Sequence, residues 1–356
     1  MHKIYYYLIK KNMENIIIIA QHKFFRDHQT FVRIDMLNYI QNKNNKYNVN
    51  IFFSDCKTNI IENKINELKP KVILFMDINA FSTELQKYNF IFDYKKTIKI
   101  GILIEDTYYI NTTKNCPYVQ KCHFILFWYK NKLIEESYKA MMPNKLILSL
   151  DSRFINIDRF LDYNLPKKYD ILMFGCRIFK YNYKQQKIKS IQNYIEKYEK
   201  HHNILISDNT NINFYSLREK LLNVITKCNK YNFKLCPEVG TYANNEELSK
   251  LINQSYLTIV CSTIADVMVF KHLEIPASKS VILGSYPTDY KDLFEGNIIE
   301  VNEFMTDNEI INIIDNALAD KKELENKANR LYEKIRNKHS LDNSLNSFNN
   351  IIQKII

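Results

Sequence analysis

Two acids, Asp266 and Glu274, stand with seven residues between them in the stretch "ADVMVFKHLEIPASKSVILG". An ionised carboxylate only accepts hydrogen bonds, and it can take two at once from vicinal hydroxyls. The stretch is otherwise mostly apolar: a helical turn interrupted by Pro276, then the strand-like "SVILG". An unpaired charge is costly to remove from water. The pair therefore either faces a polar ligand, or sits in water with Asp266 as a helix N-cap and Glu274 as an exposed helix acid.

The elements that would position such a pair are legible around it. Short β-rich apolar runs alternate with longer helical patterns, which is the signature of parallel α/β sheets. The first series reads "NIIIIA" (15–20), "YNVNIFF" (47–53), "KVILFM" (71–76), "IKIGILI" (98–104), "HFILFWY" (123–129) and "KLILSL" (145–150). Between the first two, Phe31, Ile34, Leu37 and Ile40 recur at helical spacing behind Asp27, a suitable N-cap. The polar, Pro-containing "DYNLPKKYD" reads as a linker. A second series follows at "DILMFG" (170–175), "HNILI" (202–206), "NFKLCPE" (232–238), "LTIVCS" (257–262), "SVILG" (280–284) and "NIIEV" (297–301). Three helical patterns close the chain. With one domain per ~150 residues as a guide, the 356 residues give an N-terminal domain over 1–164 and a C-terminal domain over 165–356 that includes the terminal helices. The expected class is α/β: two facing Rossmann-like domains with parallel sheets and a helical C-terminal tail. Ligands of such sheets bind beyond the carboxyl ends of the strands.

Missing motifs narrow the chemistry. There is no GxGxxG after the first strand, no P-loop and no GxSxG, which disfavours nicotinamide oxidoreductases, P-loop NTPases and α/β-hydrolases. No DxD triplet occurs, so a metal is not expected. The seven cysteines are odd in number and never in CxxC spacing, so neither a disulfide framework nor a metal cluster is expected. Several lie in apolar runs, where Cys packs as a small hydrophobe, and a reducing, cytoplasmic setting is expected. No stretch reaches the ~18 apolar residues of a membrane span. The net charge is +11. Without a compact basic cluster interleaved with aromatics it reads as a lysine-rich surface, not a specific nucleic-acid site. Such a surface still attracts anionic membranes and phosphorylated substrates.

The second half resembles the C-terminal domain of GT-B glycosyltransferases, particularly the group-1 set that includes the CgeB-like proteins. The resemblance covers roughly 165–345. It is carried by "KKYDILMFGCR", "FYSLREKLLNVI", "GTYANNEELSKLINQSYLTIVCST", the acid-bearing stretch and "DLFEGNIIEVNEFMTDNEIINIIDNALADKKELENKANR" in that order. It implies transfer of a sugar from a nucleotide-diphosphate sugar, without cofactor or metal and with retention of configuration. In retaining members two acids at this separation flank the donor. Asp266 then approaches the sugar hydroxyls, and Glu274 accepts from the ribose. Two departures stand out: Asp266 replaces a more usual Glu, and Lys279 stands where the family generally has glycine.

A diphosphate leaving group needs cations or helix N-termini. Gly175, Arg177, Lys180 and Arg218 are the candidates, with Tyr242 placed to stack on the base. Backbone N–H groups of Thr263 and Ile264 complete the expected donor site. The acceptor, a glycan, protein or small molecule, would lie in the first domain, where Asp106, His22 and His123 sit beside expected strand ends and Asp106 is the candidate base. Two rivals remain: a nucleotide-sugar epimerase on the same fold, and a non-catalytic binding or structural protein that retains it.

Overall fold

The computed structural model describes residues 13–20, 28–76, 83–104, 110–150, 159–182, 187–207, 209–236 and 245–356. The chain forms two compact units, one running to Phe154 and taking back Leu341–Ile356, the other Ile155–Ser340.

The first unit holds a parallel sheet of β1 (Glu14–Ala20), β2 (Tyr47–Phe53), β3 (Val72–Met76), β4 (Lys99–Ile104), β5 (Phe124–Phe127) and β6 (Leu146–Ser149), in the order β2-β1-β3-β4-β5-β6. All five residues of β3 and the last five of β1 are buried. Strands covered on both faces need continuous apolar runs, which is why they read so plainly in the sequence. Helices α1 (His28–Lys43), α2 (Thr58–Leu68), α3 (Ile110–Asn115), α4 (Pro117–Lys121) and α5 (Lys132–Met141) join them. In α1, Leu37 and Ile40 are buried as their spacing demands. Asp27 lies outside the described residues.

The second unit holds β7 (Tyr169–Met173), β10 (Phe233–Leu235), β11 (Ser255–Val260), β12 (Val281–Gly284) and β13 (Ile299–Glu300), all parallel, in the order β10-β7-β11-β12-β13. A two-stranded antiparallel ribbon, β8 (Lys180–Tyr181) and β9 (Ile212–Asn213), stands apart from it. The helices are α6 (Lys189–His202), α7 (Ser216–Cys228), α8 (Asn245–Asn253), α9 (Lys271–Ala277), α10 (Lys291–Phe294), α11 (Asp307–Ala319) and α12 (Lys321–Lys338). Side chains alternate across a strand, so Leu172 and Phe174 join a core with Ile252, Leu273, Phe294 and Leu331. Ile171 and Met173 join another with Leu221, Ile225, Ile310 and Ile314. The chain leaves β7 first to β10 on one side and then to β11 on the other. Strand order therefore reverses between β7 and β11, the place where sheets of this kind open a crevice.

Two expectations are corrected. Residues 202–206 do not form a strand: α6 runs to His202, Asn203 turns left-handed, and Glu199 takes the N–H groups of Ile204 and Ile206. With its N–H groups drawn to a helix end, this apolar run joins no sheet, and Leu205 is 91% exposed. The domain boundary also moves. The last helix, α13 (Leu341–Ile355), packs on α1 in the first unit, where Asn44 Nδ2 donates to Asn349 Oδ1 (2.8 Å) and Tyr39 OH to Asp342 Oδ1 (2.6 Å).

Candidate functional site

The acids lie at the carboxyl edge of the second sheet, beside the point of strand reversal. Asp266 follows β11 in a turn in which its N–H donates to Thr263 O (2.8 Å). It is no helix cap, because α9 begins five residues later with Phe270 at the cap position. Its φ is +57°, a left-handed conformation that Asp and Asn tolerate better than Glu. The shorter acid therefore suits this position. Both carboxylate oxygens accept from the Thr288 N–H at 3.2 Å, beyond the end of β12. Burial pushes the Asp266 carboxyl up to about 6, the nearby Asp289 adds to the rise, and the Thr288 bonds oppose it.

Glu274 sits inside α9 and is 1% exposed, so it is no solvated helix acid. Lys271 lies near it, and Arg218 lies near Lys271. Arg218, in the first turn of α7, is 2% exposed, donates from Nη1 to Cys176 O (2.8 Å) and lies over the Tyr215 ring at 4.2 Å. Lys271, at the start of α9, donates from Nζ to Phe174 O (2.8 Å). Burial, and next Arg218, push Lys271 well below the ordinary lysine range, while Glu274 opposes them.

Gly175 links these groups. Its φ is +76°, and a Cβ built there would collide with Lys271 Nζ. The glycine is thus required, but what approaches its backbone closely in this structure is the lysine head. Arg177 is half-buried and donates to Cys236 O (2.6 Å), so it ties the loops after β7 and β10 together. Lys180 is exposed on the β8 ribbon. The N–H of Ile264 donates to Phe214 O (3.2 Å). Thr263 is buried, and its Oγ1 accepts from Val267 N (3.4 Å). Ser190 Oγ in α6 donates to Ala265 O (2.9 Å) and fixes the turn from below.

Tyr242, Asp106 and His22 lie outside the described residues. His123 precedes β5, at the amino end of its sheet, and its Nδ1 accepts from Ile100 N (3.0 Å). It helps close the sheet's amino edge and stands away from the carboxyl edge where ligands bind. Lys271 is a site-lining residue that motif reading passed over; its position one helical turn before Glu274 was the available signal.

A cavity of about 410 Å³ lies elsewhere in the second unit, at the amino ends of β11 and β12. Lys167 there donates to the carbonyls of Asn253 (2.7 Å), Ser255 (3.0 Å) and Lys279 (2.8 Å), and Lys279 pairs with Asp162 at 2.9 Å. Lys279 has φ +53°, a left-handed conformation that favours glycine. These polar groups satisfy one another, so this end is a structural seam. Among the described residues no group of three or more His, Cys, Asp or Glu could hold a metal ion, and no helix is long and apolar enough to cross a membrane.

Two doubly wound parallel-sheet units with acids and cations at the carboxyl edge of the second define the GT-B fold. Residues 216–350 match the model of a family described as glycosyl transferase-like. Among solved structures, the chain is similar to sucrose-phosphate synthase from Thermosynechococcus elongatus, with TM-score 0.58 and 10% identity over 96% of this chain and 99% of that one. It is also similar to Anabaena HepE in complex with UDP, with TM-score 0.54 and 6% identity over 96% and 100%. A glycosyltransferase from Rickettsia africae gives TM-score 0.51 and 11% identity over 97% and 99%. A search of the curated proteins returned no match.

Proposed function

We propose that the protein transfers a sugar from a nucleotide-diphosphate sugar to an acceptor, with the donor held at the carboxyl edge of the second sheet. One observation carries this reading: Lys271 lies near both Arg218 and Glu274, with Asp266 on the same loop after β11, where strand order reverses and within the segment that matches the glycosyl transferase-like family. Carboxylates and cations together suit a ligand that carries both vicinal hydroxyls and a diphosphate. Asp266 approaches the sugar hydroxyls and Glu274 the ribose, while Arg218, with Arg177 and the Gly175 turn, faces the diphosphate. Tyr242 stacks on the base. Metal independence fits a site in which cationic side chains neutralise the leaving group. The acid pair, through its resemblance to that of retaining members, supports retention of configuration. The acceptor, a glycan, protein or small molecule, lies with the first unit, and Asp106 is its candidate base. HepE is a structural neighbour solved with UDP and with UDP-glucose, so uridine donors come first.

Thermal shift against nucleotide-diphosphate sugars tests the reading, since a ligand bound only by the native state must stabilise it. At ligand about a hundredfold above Kd the gain is about 2.7 kcal/mol, a rise of several degrees. The rise is expected to persist with chelator and to weaken in Glu274→Gln. No shift with any nucleotide sugar would return the fold to a non-catalytic role. Sugar conversion without an acceptor would assign it to an epimerase.

A further inference from the structure

Lys271 and Arg218 hold the two carbonyls that flank Gly175. Lys271 Nζ donates to Phe174 O and lies over the Phe174 ring at 4.7 Å, and Arg218 Nη1 donates to Cys176 O. Arg218 Nε is buried without a hydrogen-bond partner. Guanidinium does not lose its proton in proteins, whereas a lysine packed beside it does so readily. The charged and titratable groups facing Lys271 are Arg218 from α7, Glu274 from its own helix, Cys261 after β11 and Cys176 after β7. One carboxylate beside two cations leaves an excess of positive charge around the half-buried Lys271. The unliganded site therefore holds the Lys271 proton less firmly than an ordinary lysine does, and an entering anion favours its return. Burial and Arg218 act on Lys271 in that sense.

The lysine head occupies the space over Gly175, the open face of the first turn after β7. That is where a diphosphate at this sheet edge would lie. We propose that Lys271 exchanges its bond to the Phe174 carbonyl for the donor's diphosphate and takes up one proton from solvent as the anion binds. The Nζ lone pair accepts that proton, and the resulting ammonium faces phosphate oxygens beside Arg218. No covalent bond changes. This deepens the nucleotide-sugar reading above and rests on it. Donor affinity then has a built-in dependence on pH: it falls in alkaline solution, where protonating the amine becomes costly.

Calorimetric titration with UDP near pH ~8, where the nucleotide is already fully ionised, tests the proposal. Inorganic pyrophosphate serves as a probe independent of the base. Titrations in buffers of different ionisation enthalpy give proton uptake as the slope of observed enthalpy. The wild type is expected to show uptake of a large fraction of one proton. Lys271→Arg, already charged, is expected to bind with that uptake abolished. Lys271→Met is expected to lose about tenfold or more in affinity with the uptake also gone. The arginine variant keeps the test open should methionine disturb the fold, which a circular-dichroism melt reports. Equal proton uptake in wild type and both variants would overturn the role of Lys271 and leave the donor site standing. Absence of UDP and pyrophosphate binding in the wild type would overturn the nucleotide-sugar reading itself, and this proposal with it.

Discussion

At the scale of single residues, the site holds charges under conditions that the fold alone would avoid. Asp266 combines a left-handed backbone with a carboxyl raised to about 6 by burial. Its folded-state value lies above the unfolded one, so its contribution to stability is full below pH ~4 and is lost as pH rises through about 6. At neutral pH the ionised carboxylate therefore works against folding, by about 1–3 kcal/mol. Asp266→Asn keeps the shape and tolerates the same backbone. It is expected to melt several degrees above wild type near pH 7.5, with the difference vanishing near pH 4, while sugar transfer falls sharply. Melting curves across pH check this; a variant less stable than wild type at pH 7.5 would make the carboxylate a structural acceptor for Thr288. From sequence, the spacing of the acids was legible, and so was Arg218. The left-handed turn at 266 was not, because it depends on how the loop after β11 closes on Thr288, far along the chain.

At the scale of elements, the strands read well where burial on both faces forced long apolar runs, as in β1, β3, β4 and β11. The reading failed at residues 202–206, where a run of the same composition lacks a neighbouring strand. The short ribbon β8–β9 went unread, since two residues per strand leave no period to detect. Position in the fold, more than local pattern, also decides how the site is held. Ser190 in the first turn of α6 is 5% exposed and donates to the carbonyl of Ala265, next to Asp266. Ser190→Ala removes that bond without altering any group at the carboxyl edge. It is expected to cost about 1 kcal/mol of stability in urea unfolding, and to lower donor affinity because the Thr263–Asp266 turn loses a support. A stability loss with unchanged nucleotide-sugar affinity would show that the turn is fixed by other bonds, such as Asp266 N–H to Thr263 O.

At the scale of the whole molecule, the chain enters the second unit near residue 155 and returns to the first near 341. Composition marked one linker, "DYNLPKKYD", but the structure gives that stretch to the body of the second unit. Just before it Phe160 is fully buried in that unit's core, and within it Asp162 pairs with Lys279 and Leu165 N donates to Asn253 Oδ1 (2.9 Å). The return was illegible because an amphipathic helix does not say in sequence which core its apolar face will meet. In α13, Leu345, Phe348, Ile351, Ile352 and Ile355 are all buried. Two fragments separate the readings. Residues 155–340 retain the Phe160 anchor and leave out α13; they are expected to be soluble, to melt cooperatively and to keep the nucleotide-sugar shift of the full chain. Residues 165–356 lose the anchor and carry α13 without α1, its partner. Burying an aliphatic or aromatic side chain is worth about 1.5–3 kcal/mol, so five left in water make self-association the expected outcome in size-exclusion chromatography. If 165–356 proved the better-behaved fragment, α13 would belong to the second unit after all, and the contacts with α1 through Asn44 and Tyr39 would be secondary.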